Sequence, residues 1–165
     1  LNTIIKYPVS SVEIDTECGD IKCKKMGYYH ADQDIFRKVT EATGTGNRRH
    51  PLTFLLEAAD DLAYKTADIE DAFVKGFITY YTLERELAPL EESCPESPFK
   101  PLEKLHRLYV RGQEKHVTSP ESYAVKNWIV SAQGFLISCA TFGFTSNYDD
   151  IMAGTYRKDL FSGTY

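Results

Sequence analysis

Pro51-Leu-Thr-Phe-Leu-Leu-Glu57-Ala-Ala-Asp60-Asp61-Leu-Ala-Tyr64-Lys-Thr-Ala-Asp68-Ile-Glu70-Asp71-Ala-Phe73-Val-Lys75-Gly76 decides the fold of this 165-residue chain. Proline stands where a helix's first turn loses nothing by lacking an N–H, and no breaker follows until Gly76. The pattern predicts a helix from Pro51 to about Lys75, with a bend allowed near Asp68. At about 100° per residue, Glu57, Asp60, Asp61, Tyr64, Asp68 and Asp71 share one sector. Leu52, Leu55, Leu56, Ala59, Leu62, Ala63, Thr66 and Phe73 cover the other side. The polar face is almost purely carboxylate, with a single tyrosine.

Upstream, Asp32 can cap a helix carried by Ile35, Phe36 and Val39 and ended by Gly44 and Gly46. Residues 1 to about 30 mix β-branched and polar types around Pro8, Gly19 and Gly27, which predicts loops with a short β-hairpin near Val12 to Lys24. Downstream, a helix is expected over Thr82 to Leu90, a loop over Glu91 to Pro101, and a helix over Leu102 to Val110 ended by Gly112. Ser119-Pro120-Glu121 should open another, running to about Cys139, and Tyr148 to Gly154 a last short one. So many helices with so little strand signal predict an all-α fold in a single domain, 1–165.

Composition narrows the functional classes. An apolar share of 42% and a charged share of 26% belong to a globular domain. No run of about 18 continuous apolar residues is present, so no membrane segment is expected. Leu1 to Pro8 lack the basic-then-apolar layout of a signal peptide, and the chain does not open on Met. It is therefore expected to begin inside a longer, cytoplasmic protein. Cys18, Cys23, Cys94 and Cys139 form no Cys-x-x-Cys pair and are expected as free thiols. A net charge of −5 argues against a chain-wide nucleic-acid footprint.

Carboxylates one turn apart repel, and a counter-cation would relieve them. The candidates are a divalent metal, which prefers carboxylate oxygen and imidazole, or basic side chains from Arg48, Arg49 and the Lys22 to Lys25 cluster. By periodicity alone a solvated acidic face is the default. Against it, the pattern interleaves no lysine or arginine on the stripe, and Ala58, Ala59 and Ala63 suit close packing at its flanks.

Arg49-His50-Pro51-Leu52, then Glu57-Ala58-Ala59-Asp60-Asp61 with Tyr64, Asp68, Glu70 and Asp71 behind it, resembles the bacterial dGTPases. These are HD-domain deoxynucleoside triphosphate triphosphohydrolases. Lys6-Tyr7-Pro8, Lys25-x-Gly27-Tyr28-Tyr29 and Asn147-Tyr148-Asp149-Asp150-Ile151-Met152-x-Gly154 extend the resemblance over nearly the whole chain. It implies part of an all-α HD-domain helical bundle. It also implies hydrolysis of a dNTP, usually dGTP, to deoxynucleoside and triphosphate, by a metal-activated water attacking the α-phosphorus.

The resemblance places a metal ligand at Asp60, with Asp61 as the alternative, for Mg2+, Mn2+ or another transition metal. It sets Tyr64 near sugar and phosphate, and Asp68 near the sugar hydroxyl or a phosphate-bound lysine. Lys6, Tyr7 and Lys25, or Lys24 in its place, take triphosphate-contacting positions. The family's remaining ligands are a histidine and a His-Asp pair, yet His30, His50, His106 and His116 are followed by Ala, Pro, Arg and Val. Those ligands and the catalytic acid are thus expected upstream of Leu1, no catalytic residue is assigned within the chain, and the fragment alone is expected to be silent. Family partners would be a homo-oligomer, often a hexamer, and single-stranded DNA as a candidate regulator. A different HD-type nucleotide phosphohydrolase, or a non-catalytic nucleotide-binding or oligomerisation subunit, are the alternatives. His50 is expected to be structural, and His106 and His116 to lie on the surface. Tyr123, Trp128, Phe135, Phe142 and Phe144 are expected in packing or a subunit interface.

Overall fold

The computed structural model describes residues 1–162, so Gly163 to Tyr165 of the expected domain lie outside the described residues. It contains α1 (Gln33–Thr43), α2 (Pro51–Val74), α3 (Tyr80–Ser93), α4 (Pro101–Glu114), α5 (Pro120–Ser146) and α6 (Tyr148–Ala153). No strand occurs among the described residues, and the fold is all-α.

The helix boundaries follow local chemistry. Gly44, Gly76 and Gly154 adopt positive φ after α1, α2 and α6, the left-handed conformation that releases a chain from a helix. Thr79 Oγ1 accepts the Thr82 N–H at α3, and Ser119 Oγ the Ser122 N–H at α5. At α4 the partner comes from a distant residue. The Glu91 carboxylate accepts the N–H groups of Leu102 and Glu103, at 2.7 and 3.3 Å.

Three sequence expectations are corrected. There is no hairpin at Val12 to Lys24. Asp20 instead caps a 3-10 turn over Ile21–Cys23, its carboxylate accepting the Lys22 N–H, and such short-range bonds compete with a strand ladder. Gly112 does not end α4. A Cβ there would stand 3.2 Å from Pro120 Cα, so this glycine lets α4 and the start of α5 approach closely. Finally, α3 runs past Leu90 to Ser93 and α5 past Cys139 to Ser146, and in α5 Ala140 and Phe144 still find a core.

Two compact units result, Leu1–Asp60 with the segment from Cys139 onward, and Asp61–Ser138. In the first, Phe54, Ala58, Ala140, Ile151 and Leu160 form the buried core, with Phe144 and Tyr156 against it. Gly143 permits contact with the chain's return, since a Cβ there would lie 2.1 Å from the Leu160 carbonyl oxygen. In the second, α3 and α4 pack together and Leu105, Leu108, Ala124, Val125, Trp128 and Ile129 are buried. Trp128 Nε1 donates to the Pro101 carbonyl at 2.9 Å, so the indole's polar atom is satisfied inside the core. Phe135 stacks on Phe99, ring centroids 4.9 Å apart. Tyr123 borders Gly112 beneath the Lys115 ammonium, and Phe142 is exposed.

Although the sequence contains no unbroken apolar run, α5 is long and apolar enough, by length and composition, to cross a membrane. Its buried residues include Ala124, Val125, Trp128 and Ile129 in one unit and Cys139 and Ala140 in the other. Of its apolar 18-residue window, 28% is buried.

Candidate functional site

The N-terminal segment reaches α2 because small polar groups hold it there. Asn2 Nδ2 donates to the Thr43 and Thr45 hydroxyls at 2.6 and 2.7 Å, fastening residue 2 to the end of α1. Thr53, fully buried in the first turn of α2, donates its hydroxyl to the Thr3 carbonyl at 2.9 Å. The next residues of this segment then run beside the helix.

Arg49 and Lys6 complete the cluster. The Arg49 side chain is only 3% exposed, and its Nη2 donates to Glu57 Oε2 at 2.6 Å. Its Nε donates to the Lys6 carbonyl at 2.8 Å, and the guanidinium lies 4.5 Å above the Phe54 ring. Nη1 is buried without an acceptor among the described residues. Lys6 Nζ in turn donates to Asp60 Oδ2. The bond to Asp60 is the main cause holding the Lys6 ammonium above the ordinary lysine value; burial opposes it, and the charges of Asp60 and Glu57 add to it. Two carboxylates one turn apart on α2 thus each carry one cation.

Further along α2 the stripe is less bare of lysine than its sequence suggested. Lys65 pairs with Asp61 at 3.6 Å and Lys75 with Asp71 at 3.1 Å, both one turn apart and exposed. Long lysine stems reach these carboxylates from the flank of the stripe. Of the other cations considered, Arg48 bonds backbone carbonyls of Gly44, Thr45 and Ala153, and Lys22 lies beside Asp20.

The structure therefore brings Lys6 to Asp60, with Tyr7 near enough to act on the Lys6 charge. Lys25 is exposed and makes no contact with this cluster. Tyr64, 67% exposed, and Asp68, also exposed, follow Asp60 on the same helix with no partner among the described residues. His50 Nδ1 faces the Leu52 N–H at 3.3 Å and the Thr3 hydroxyl at 3.4 Å, a helix-entrance contact. His106 bonds Glu84 at 2.5 Å on the surface. The Lys6–Asp60 pair is not legible in the sequence, because its partners are 54 residues apart, whereas Arg49 is one of the expected counter-cations and meets Glu57. Only the even spacing of the carboxylates hinted that cations would gather there.

The cation-paired carboxylate stands on a long acidic helix of an all-α chain. Comparison gives the kind of protein. The chain is 40% identical over 163 residues to a deoxyguanosinetriphosphate triphosphohydrolase-like protein of Listeria monocytogenes, a match covering 97% of this chain and 33% of that protein. A protein of the same name from Synechocystis is 38% identical over 77 residues, 42% of this chain and 18% of its own. The deoxyguanosinetriphosphate triphosphohydrolase of Yersinia enterocolitica is 27% identical over 140 residues, 83% of this chain and 27% of its own. No family model matches the chain. It is homologous, over nearly its whole length, to the deoxyguanosinetriphosphate triphosphohydrolase-like proteins, and it spans about a third of the Listeria relative's length.

Proposed function

We propose that the protein carrying this chain is a cytoplasmic, metal-dependent triphosphohydrolase that cleaves a dNTP, dGTP foremost, into deoxynucleoside and inorganic triphosphate. The observation that carries this reading is the match of 97% of the chain to the Listeria relative, a span that takes in all of α2. The Lys6–Asp60 contact supports it chemically, by joining a carboxylate suited to a metal and a point charge suited to a polyphosphate.

The residues present do not make a metal site by themselves. Among the described residues no group of three or more His, Cys, Asp or Glu side chains converges. Asp60 offers one oxygen ligand, and a divalent Mg2+ or Mn2+ would need its other ligands from outside the described residues. When bound, such an ion would polarise a phosphoryl oxygen and acidify water. The chain's own part is recognition. Lys6, Tyr7 and Lys25 take the triphosphate, while Tyr64 and Asp68, exposed on α2 beyond Asp60, take the sugar. Val130, Ile137 and Phe142, exposed apolar residues of α5, support a homo-oligomer.

The test is to incubate the intact protein with Mg2+ or Mn2+ and each dNTP in turn, and to identify the inorganic product. Triphosphate is expected, and Asp60→Ala should lower turnover by about 100-fold or more. Pyrophosphate or orthophosphate alone would overturn the reaction, and an unchanged rate in Asp60→Ala the ligand assignment. Binding of dNTP without any turnover would instead favour a non-catalytic subunit.

A further inference from the structure

Cys94 is exposed and Cys139 buried in separate parts of the chain, but Cys18 stands two residues before the cap of the turn that ends at Cys23. Asp20 brings them together. Cys18 Sγ accepts the Asp20 N–H at 3.3 Å and lies 3.4 Å from the Asp20 carbonyl oxygen, to which the Cys23 N–H also donates, at 3.1 Å. Two groups bonded to one oxygen are neighbours, so the Cys18 sulfur lies close to the Cys23 backbone. The turn is held in place from outside. The Asp15 N–H donates to the Cys23 carbonyl at 3.1 Å, and the Ile21 N–H to the Arg157 carbonyl at 3.2 Å. Both thiols are half-buried, open enough for a small oxidant.

We propose that Cys18 and Cys23 form a reversible dithiol–disulfide pair, oxidised by a hydroperoxide or by a low-molecular-weight disulfide. With a hydroperoxide, the Cys18 sulfur attacks the terminal peroxide oxygen and the O–O bond breaks, leaving Cys18 sulfenic acid and an alcohol or water. The Cys23 sulfur then displaces that hydroxyl, the S–S bond forms, and the Cys23 proton leaves with the hydroxyl as water. The two thiols lose two electrons, and the peroxide gains them. With a small disulfide, two successive exchanges release two small thiols instead. The order follows from protonation. The neighbouring Cys18 sulfur, reinforced by burial, pushes the Cys23 thiol up to about 11, which makes Cys23 the poorer first nucleophile and assigns the first attack to Cys18 in this proposal.

The bridge would close a six-residue loop immediately before Lys24 and Lys25. Beyond them, the Gly27 N–H donates to the Val9 carbonyl at 2.9 Å, and a Cβ at Gly27 would lie 1.7 Å from the Tyr7 carbonyl oxygen. Oxidation therefore stiffens the loop that lies against the Tyr7 segment.

The experiment treats the intact protein, unmutated and as Cys94→Ser, with peroxide or oxidised glutathione, then alkylates and maps the peptides. The expected result is the loss of two alkylatable thiols per chain. Cys18 and Cys23 should be recovered in one linked species lighter by two hydrogens, and dithiothreitol should restore both. Cys18→Ser and Cys23→Ser should each abolish the link. Recovery of Cys18 and Cys23 as separate mixed disulfides, as links between chains, as dithiothreitol-resistant sulfinic acid, or still free after oxidant has consumed Cys94 would overturn the proposal. The map of the unmutated protein decides the matter even where a serine variant folds poorly.

Discussion

The Lys6 ammonium donates to the Asp60 carboxylate, joining the N-terminal segment to the third turn of α2, with side chains 27% and 41% exposed. One turn earlier the Arg49–Glu57 pair makes a second such tie in a far drier setting. The two pairs have the same sign pattern but differ in solvation, and that difference sets what each contributes.

The Lys6–Asp60 pair should contribute modestly and with a defined pH window. Partly exposed pairs are worth about 0.2–1 kcal/mol, less in high salt. Because the folded-state pKa of Lys6 is raised above 10.5, its contribution is fully present below pH 10.5 and is lost as pH climbs through the higher folded value. A double-mutant cycle of Lys6→Met and Asp60→Asn, followed by urea unfolding at several pH values, should show coupling at pH 7 to 10. Coupling that persisted undiminished at pH 12 would contradict this account.

Arg49→Met should be far more costly, on the order of 3–5 kcal/mol, because it strands the Glu57 carboxylate in a mostly buried place. Arg49→Lys should recover only part of the loss, since one ammonium cannot reach Glu57 and the Lys6 carbonyl with the geometry of a planar guanidinium. Urea midpoints of the two variants check the order.

Two alanines on α5 should have opposite signs. At Gly143 a Cβ would meet the Leu160 carbonyl oxygen and carbon at 2.1 and 3.0 Å, atoms of backbone that cannot swing away. Gly143→Ala should destabilise by about 1–3 kcal/mol or more. At Gly134 nothing lies within 4 Å, so Gly134→Ala should stabilise by roughly 0.5–1 kcal/mol through helix propensity alone. Thermal melts read both.

Tyr64→Phe and Asp68→Asn separate function from stability. Both residues are exposed and without partners among the described residues, so unfolding should change by no more than about 0.5 kcal/mol. If they contact the nucleotide sugar, kcat/KM for the dNTP should fall by about 10-fold or more, a loss of roughly 1.4 kcal/mol in transition-state binding. Wild-type kinetics in both variants would remove them from the proposed site.

Local signals in the sequence placed the helices, though not all of their ends, and the acidic stripe. The Pro51 start, the Gly76 stop and the 3.6-residue spacing of leucines are local signals, and α2 forms where they place it. The sequence also carried the likeness to dGTP triphosphohydrolase-like proteins, since the order of residues from Arg49 to Asp71 is itself the signal. Only the tertiary structure decided which cation meets which carboxylate. Lys6 and Arg49 reach Asp60 and Glu57 because Asn2 and Thr3 are tied to Thr43, Thr45 and Thr53, bonds between residues 41 to 50 positions apart. Side-chain spacing along one helix holds no information about such partners. Gly112 shows the same division, for a glycine in sequence reads as a helix end, and only the closeness of Pro120 shows it serving as a packing gap within α4.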